Sequence, residues 1–178
     1  MGEAVSCISV IAARSFRAAS ASRNQFSSSS QHVPACASIA LDAAGPHVPA
    51  AYGFGLFLQG GSLIGEVSLG SVQRGPFQSA FVGYWIDAMH AGQNLIPEGV
   101  AVILRYGFEE LHLHRIEAAI VPRNAASRRV AHKLGLRDEG VAERFLQIRG
   151  VWEDHVRYAI TSEEWDVRRD EITRRFLT

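Results

Sequence analysis

Hydrophobic and polar residues follow a different pattern on the two sides of residue 50. After residue 50, short β-branched and aromatic runs bounded by glycine, proline and asparagine alternate with segments of helical periodicity. The short runs predict strands over 51–59, 63–69, 80–87, 115–121, 141–148 and 151–161. The dipeptides Gly60-Gly61 and Arg149-Gly150 predict the turns of two hairpins.

Two helices are predicted between these strands. Pro97 opens the first at its first position, and Glu98 stands in the first turn, where the helix dipole favours an anion. Asn124 is expected to cap the second, which ends near Leu134 before Gly135. Helices alternating with strands predict an α/β (α+β) fold with a mixed sheet.

Both ends of the chain differ from this body. Residues 166–178 form a charged tail with helical character. Residues 1–50 are rich in alanine and serine, with only Glu3 and Asp42 as acids. Three interpretations of this leader stay open: a disordered or artefactual segment, the first elements of the fold, or a targeting peptide. The body is predicted to extend over 51–165.

Composition excludes several classes of function. Basic and acidic residues number 18 each, so the chain lacks the excess of positive charge typical of nucleic-acid-binding domains. Cys7 and Cys36 have no metal-ligand spacing, and a reducing, cytoplasmic compartment is expected. No apolar run approaches the roughly 20 residues that a membrane helix needs. Of the 18 basic residues, Lys133 is the one lysine.

The loop over residues 90–95 has the features of an anion site. It follows a strand and precedes a helix, so consecutive backbone N–H groups can converge on a phosphate. Gly92 and Asn94 can adopt the positive φ that such a loop needs. The loop matches neither a P-loop nor a dinucleotide-binding motif. An ordinary strand-to-helix turn remains the alternative.

Several ordered motifs together resemble the GNAT N-acetyltransferase superfamily, and within it the ribosomal-protein-alanine N-acetyltransferases. The resemblance covers about Phe54 to Trp165. The motifs are Tyr84-Trp85-Ile86-Asp87, the Gly92 loop with Pro97-Glu98, His114-Arg115-Ile116-Glu117-Ala118, Pro122-Arg123-Asn124 with Ser127, Lys133-Leu134-Gly135-Leu136, and Gly150-Val151-Trp152-Glu153-Asp154-His155.

This resemblance implies a fold and a co-substrate. The fold would be a mostly antiparallel mixed sheet flanked by helices, with a V-shaped splay between two central strands. Acetyl-CoA would bind there without a metal, and its pantetheine arm would pair with an exposed strand edge. The cofactor-binding residues implied are Trp85, Ile86, Ala91, Gly92, Gln93, Asn94, Leu95, Asn124 and Ser127.

The resemblance also suggests catalytic groups. Ala131 occupies the position of a tyrosine that protonates the leaving thiolate in much of the superfamily. Ser127 lies one turn earlier on the same helix face and is the candidate donor, with a helix-capping hydroxyl as the alternative. Glu117 is the candidate base or amine contact, and a surface carboxylate paired with arginine is the alternative. Glu66 is a weaker candidate base.

Other ionisable residues are expected to be structural. Asp154 shares a strand face with apolar residues, so we expect a buried carboxylate paired with an arginine. His90, His114 and His155 show no metal pattern and are expected to be structural or exposed to solvent.

Three functions remain open at this stage. The first is acetylation of a protein N-terminus, most simply the N-terminal alanine of a ribosomal protein, by a monomer or homodimer without nucleic acid or membrane contact. The second is acetylation of a small amine by the same fold. The third is a truncated, non-catalytic CoA-binding remnant, because the family's first strand and helices cannot be identified in residues 1–50.

Overall fold

Seven strands form one sheet in the order β1-β2-β3-β4-β5-β7-β6. The computed structural model describes residues 8–13, 51–58 and 60–177. The strands are β1 (Ile8–Ala13), β2 (Tyr52–Leu58), β3 (Leu63–Gln73), β4 (Ser79–Ile86), β5 (Arg115–Ile120), β6 (Arg137–Ile148) and β7 (Val151–Thr161). All neighbouring pairs are antiparallel except β4 and β5, so the mixed, mostly antiparallel sheet expected from the sequence is confirmed.

Three helices accompany the sheet: α1 (Leu95–Arg105), α2 (Ala125–Lys133) and α3 (Ser162–Phe176). Helix α1 begins two residues before Pro97, which therefore occupies its third position rather than its first. It passes into a wider π-helical turn, Tyr106–Glu110, in which the Leu111 N–H donates to the Tyr106 carbonyl at 3.1 Å. The chain thus stays helical beyond Arg105, and the buried Tyr106 and Phe108 add to the apolar side that α1 begins.

The leader contributes one strand to the sheet. Strand β1 pairs antiparallel with β2, from Ile8 opposite Leu58 to Ala13 opposite Gly53. No strand was predicted at these positions, although real fold elements were one of the interpretations left open for the leader. Both cysteines and the remainder of residues 1–50 lie outside the described residues.

The core lies between the sheet and the helices. Trp165 of α3 is 1% exposed and stacks on Phe108 with ring centroids 5.6 Å apart. Ile172, two turns later, is also buried. Thr161 caps α3 by accepting from the Glu164 N–H, and the Glu164 carboxylate accepts from the Thr161 N–H in return. The boundary drawn at residue 165 therefore falls inside a single core helix.

A close approach at Gly99 fixes the position of α1 on the sheet. A Cβ at Gly99 would lie 2.8 Å from Leu56 Cδ2 and 3.3 Å from Val67 Cγ1. Both neighbours are fully buried, so neither can move away without disturbing the core. Only glycine lets α1 lie at this distance from β2 and β3, and α1 in turn carries the loop that precedes it.

Gly99→Ala is expected to destabilise the protein by about 1–3 kcal/mol because the added methyl overpacks the contact with Leu56. Urea unfolding followed by circular dichroism measures the change. Gly70→Ala is the matched control, since no atom lies within 4 Å of its added Cβ. Equal stability of the two variants would show that α1 does not depend on this contact.

Candidate active site

Strands β4 and β5 pair at three positions and then diverge. The pairs are Ser79 with Arg115, Ala80 with Ile116 and Phe81 with Glu117. Beyond them β4 continues to pair with β3, and β5 continues to pair with β7. The main-chain groups that face the gap therefore have no strand partner there. This is the predicted V-shaped splay, and its open edges can pair with an extended ligand.

A cleft of about 580 Å³ adjoins this gap. Its walls are the end of β4, the loop that follows, the start of α1 and one face of α2. The lining residues are Tyr84, Trp85, Ile86, His90, Ala91, Gly92, Asn94, Leu95, Ile96, Pro97, Asn124, Ala126, Ser127, Arg129, Val130 and Lys133. All the sequence-predicted cofactor residues line it except Gln93, whose side-chain amide donates to the Met89 carbonyl at 3.3 Å.

Five consecutive backbone N–H groups are available at one end of the cleft. The amides from Gly92 to Ile96 make no hydrogen bond to another described residue. Gly92 has φ 80° and Asn94 has φ 64°, as the sequence predicted for this turn. Unpaired amides at a helix N-terminus bind anions, and phosphate groups in particular. The residues present thus fit a pyrophosphate.

The two helices that line the cleft begin differently, although each has asparagine at its N-cap. The Asn124 side chain caps α2 by accepting from the Ser127 N–H at 3.1 Å. Asn94 makes no such cap on α1 and instead accepts from Lys133 Nζ at 2.6 Å. The first amides of α1 therefore stay open, and the ammonium of Lys133 is held beside them.

Positive charge faces these amides from α2. Arg129 and Lys133 are four residues apart, so they share one face of the helix, and both line the cleft. Lys133, the one lysine of the chain, was not among the sequence-predicted site residues. Its place in the Lys133-Leu134-Gly135 motif was the signal available in the sequence.

Tyr84 connects β4 to α2 beside the V. Its hydroxyl donates to the Ser127 carbonyl at 3.2 Å, from β4 to the first turn of α2. Burial raises the pKa of the Tyr84 phenol above its ordinary value, and a hydrogen bond with Ser127 only partly opposes this effect. The phenol therefore stays protonated and keeps its hydrogen bond to α2.

Ser127 lies where two cavities meet. It lines both the large cleft and a second cavity of about 230 Å³ inside the V. Because Asn124 is the residue that caps α2, the Ser127 hydroxyl is not needed as the cap.

The second cavity is lined by the diverging strands and by one buried histidine. Its walls are Val82, Gly83, Tyr84, Ala118, Ala119, Ile120, Val121, Asn124, Ser127 and His155. His155 is 3% exposed, and its Nδ1 lies 2.9 Å from the Glu153 carbonyl oxygen. The sequence expectation of a structural or exposed histidine did not anticipate this position in the V.

The Glu117 carboxylate lies outside the lining of both cavities. Oε1 contacts Arg115 Nε at 3.1 Å, and Oε2 pairs with Arg157. The side chain is 12% exposed. This geometry corresponds to the alternative of a carboxylate paired with arginine.

The remaining candidates are dispersed. Glu66 lies on β3 opposite Trp85 and lines neither cavity. The expectation of a buried Asp154 paired with an arginine side chain is wrong: Asp154 is exposed, and Oδ1 accepts from the main-chain N–H of Arg144 at 2.8 Å. His114 pairs with Glu163 at the surface, whereas His90 lines the large cleft.

Metal-ligand clusters and membrane-spanning helices are both absent from the described part of the chain. Within residues 8–13, 51–58 and 60–177, no three histidine, cysteine or acidic side chains come together as metal ligands. Among the helices in these ranges, none has the length and apolar character to cross a bilayer.

Comparison with known proteins agrees with this geometry. Over 114 residues, 64% of the chain, it is 46% identical to "Probable N-acetyltransferase YjcK" of Bacillus subtilis, of which it covers 63%. It is 36% identical to the "[Ribosomal protein uS5]-alanine N-acetyltransferase" of Escherichia coli over 65% of the chain and 60% of that protein. The chain thus spans under two thirds of the length of these relatives.

A solved structure and a family model extend the comparison. "Mycobacterium smegmatis RimJ in complex with CoA-disulfide" superposes with a TM-score of 0.66 at 33% identity, covering 71% of this chain and 60% of that one. The model of the acetyltransferase (GNAT) domain matches residues 15–137, more than half of the chain and partly within the leader. The chain therefore belongs to the GNAT acetyltransferase family.

Proposed function

We propose that this protein transfers the acetyl group of acetyl-CoA to a primary amine, and that the acceptor is the N-terminal alanine of a ribosomal protein. The observation that carries the proposal is the row of open amides from Gly92 to Ile96, which faces Lys133 at one end of the β4–β5 gap. Such a row fits the pyrophosphate of CoA, and the adjoining strand edge fits its extended arm.

Helix α2 spans the distance between the two ends of the site. Lys133 and Ser127 are six residues apart, which corresponds to about 9 Å along a helix axis. Lys133 and the open amides hold the phosphates, while Ser127 and Asn124 lie toward the reactive end. Acetyl-CoA supplies a thioester, whose acyl carbon is already activated toward an amine.

Each residue then has a separate task. The open amides of the loop and the two cations of α2 bind the nucleotide end, the β4 edge orients the arm, and Tyr84 keeps α2 at a fixed distance from β4. The Ser127 hydroxyl delivers a proton to the departing thiolate. Ser127 is the candidate for this task because it lines both cavities and its main chain is already held by Asn124 and Tyr84.

The acceptor assignment is supported by the relatives. One of them, 36% identical, is named for acetylating the alanine of ribosomal protein uS5. The experiment supplies acetyl-CoA with a peptide that begins with alanine, the same peptide with a formylated N-terminus, and spermidine. We expect mass spectrometry to detect one added acetyl group on the free peptide alone. Acetylation of spermidine alone would favour the small-amine function, and no transfer to either amine would contradict the proposal.

Lys133→Ala is expected to weaken acetyl-CoA binding about tenfold or more, because a charge-assisted contact with a phosphate is lost. Isothermal titration calorimetry measures the dissociation constant. Arg149→Ala, at the turn between β6 and β7, removes the same charge far from the cleft and serves as the control. An equal change in both variants would indicate a general effect of charge and not a phosphate contact.

Ser127→Ala is expected to lower kcat about a hundredfold and to leave the KM for acetyl-CoA nearly unchanged, because only a proton donor is removed. The capping bond is retained, since the Ser127 N–H and not its hydroxyl takes part in it. Ser127→Thr keeps a hydroxyl and should retain most of the activity. Full activity in the alanine variant would remove Ser127 from the mechanism.

A further inference from the structure

We infer that His155 is the general base of this site and that its Nε2 accepts the proton that the acceptor amine loses. The inference rests on the proposed acetyl transfer. An amine can complete its attack on a thioester only if a neighbouring group takes a proton from its nitrogen. A base for this step has to reach the space between β4 and β5, where the strand edges and Ser127 meet.

The walls of the small cavity supply one such group. Of the ten described residues that line it, six are aliphatic or glycine, and Tyr84, Asn124 and Ser127 are not bases at neutral pH. His155 is the remaining one, and histidine is the side chain that most often serves as a general base. Carboxylates are absent from this set of described residues.

The hydrogen bond of His155 selects the tautomer that a base requires. A carbonyl oxygen can only accept, so the 2.9 Å contact between Nδ1 and the Glu153 carbonyl requires the proton to be on Nδ1. Nε2 then carries the free electron pair, and no other described residue forms a hydrogen bond with it. A main-chain carbonyl that orients an imidazole in this way is a recurrent arrangement at functional histidines.

Packing holds the ring in this orientation. Phe145 of β6 meets the His155 ring edge-on, with centroids 5.9 Å apart, and the residue as a whole is 3% exposed. The nearby acid Glu117 is not a competitor, because Arg115 and Arg157 both occupy its carboxylate. A buried imidazole held by Phe145, with one nitrogen not hydrogen-bonded to a described residue, is thus available in the cavity that Ser127 also lines.

The acetyl transfer conserves atoms, electrons and protons. The amine nitrogen forms a bond with the acyl carbon and gives a proton to His155 Nε2, and the carbon–sulfur bond breaks with its electron pair on sulfur. The thiolate receives a proton through the Ser127 hydroxyl, which is replenished from solvent, while the imidazolium returns its proton to solvent. The products are an N-acetyl amide and a free thiol.

The wild-type protein provides the first test. A long-range ¹H–¹⁵N spectrum distinguishes the ring tautomers, and His155→Asn identifies the His155 signals by their loss. We expect a neutral ring protonated at Nδ1, with an Nε2 resonance that shifts when CoA and the alanine peptide are both added. A ring protonated at Nε2, or an Nε2 resonance that the peptide does not change, would overturn the inference.

Kinetics with His155→Asn provide the second test. The asparagine amide can still donate to the Glu153 carbonyl but cannot act as a base, so a structural role would survive the change. We expect kcat to fall at least a hundredfold, with acetyl-CoA affinity within twofold of the wild type. The surface residue His114 provides the control variant His114→Asn. A kcat within threefold of wild type would overturn the inference but leave the proposed function intact, whereas a wild type that acetylates nothing would overturn the proposed function itself.

Discussion

The divergence of β4 from β5 after three residue pairs is the constraint on which the rest of this site depends. If the two strands had stayed paired, their main-chain groups would have been satisfied within the sheet and no cavity would separate them. Each strand instead stays fully paired on its other side, so the gap costs hydrogen bonds only along two facing edges. Beside the gap, the Tyr84 hydroxyl donates to the Ser127 carbonyl and so ties β4 to α2. A ligand that pairs with these edges therefore restores the main-chain hydrogen bonds that the two strands lose where they diverge.

Charged side chains near the gap fall into two groups, a series of paired ions and two cations on the wall of the cleft. On β5, β7 and β6, guanidinium and carboxylate groups alternate from the sheet to the start of α3; the series is Arg157, Glu117, Arg115, Glu139, Arg137 and Glu164. Its three arginines and three glutamates neutralise one another locally. Arg129 and Lys133 lie outside this series, on the wall of the cleft.

The parts of the structure that local sequence rules govern could be predicted. Hairpin turns, the cap at Asn124 and the positive φ at Gly92 follow from the chemistry of single residues, and the observed elements agree with them. Strand β1 could not be predicted, because its order comes from pairing with β2 and not from its own composition. Lys133 was missed for a similar reason, since its contact with Asn94 joins residues 39 positions apart.

The error at Asp154 and the position of His155 have one physical cause. Strand alternation places Asp154 on the face of Val156 and Tyr158, and that face is buried only as far as β5 and the helices cover it. Strand β5 ends at Ile120, which pairs with Val156, so Asp154 lies beyond the covered region. There β6 bulges, and the Arg144 N–H, at φ 47°, bonds to the exposed carboxylate.

His155 points to the opposite face, which a simple alternation rule assigns to solvent, yet the open V and Phe145 enclose it. The same early end of β5 therefore exposes the acid and buries the imidazole. The alternation of side chains along β7 carries no information about where β5 ends. The length of β5 nevertheless decides which of two adjacent ionisable residues, Asp154 or His155, lines the cavity in the V.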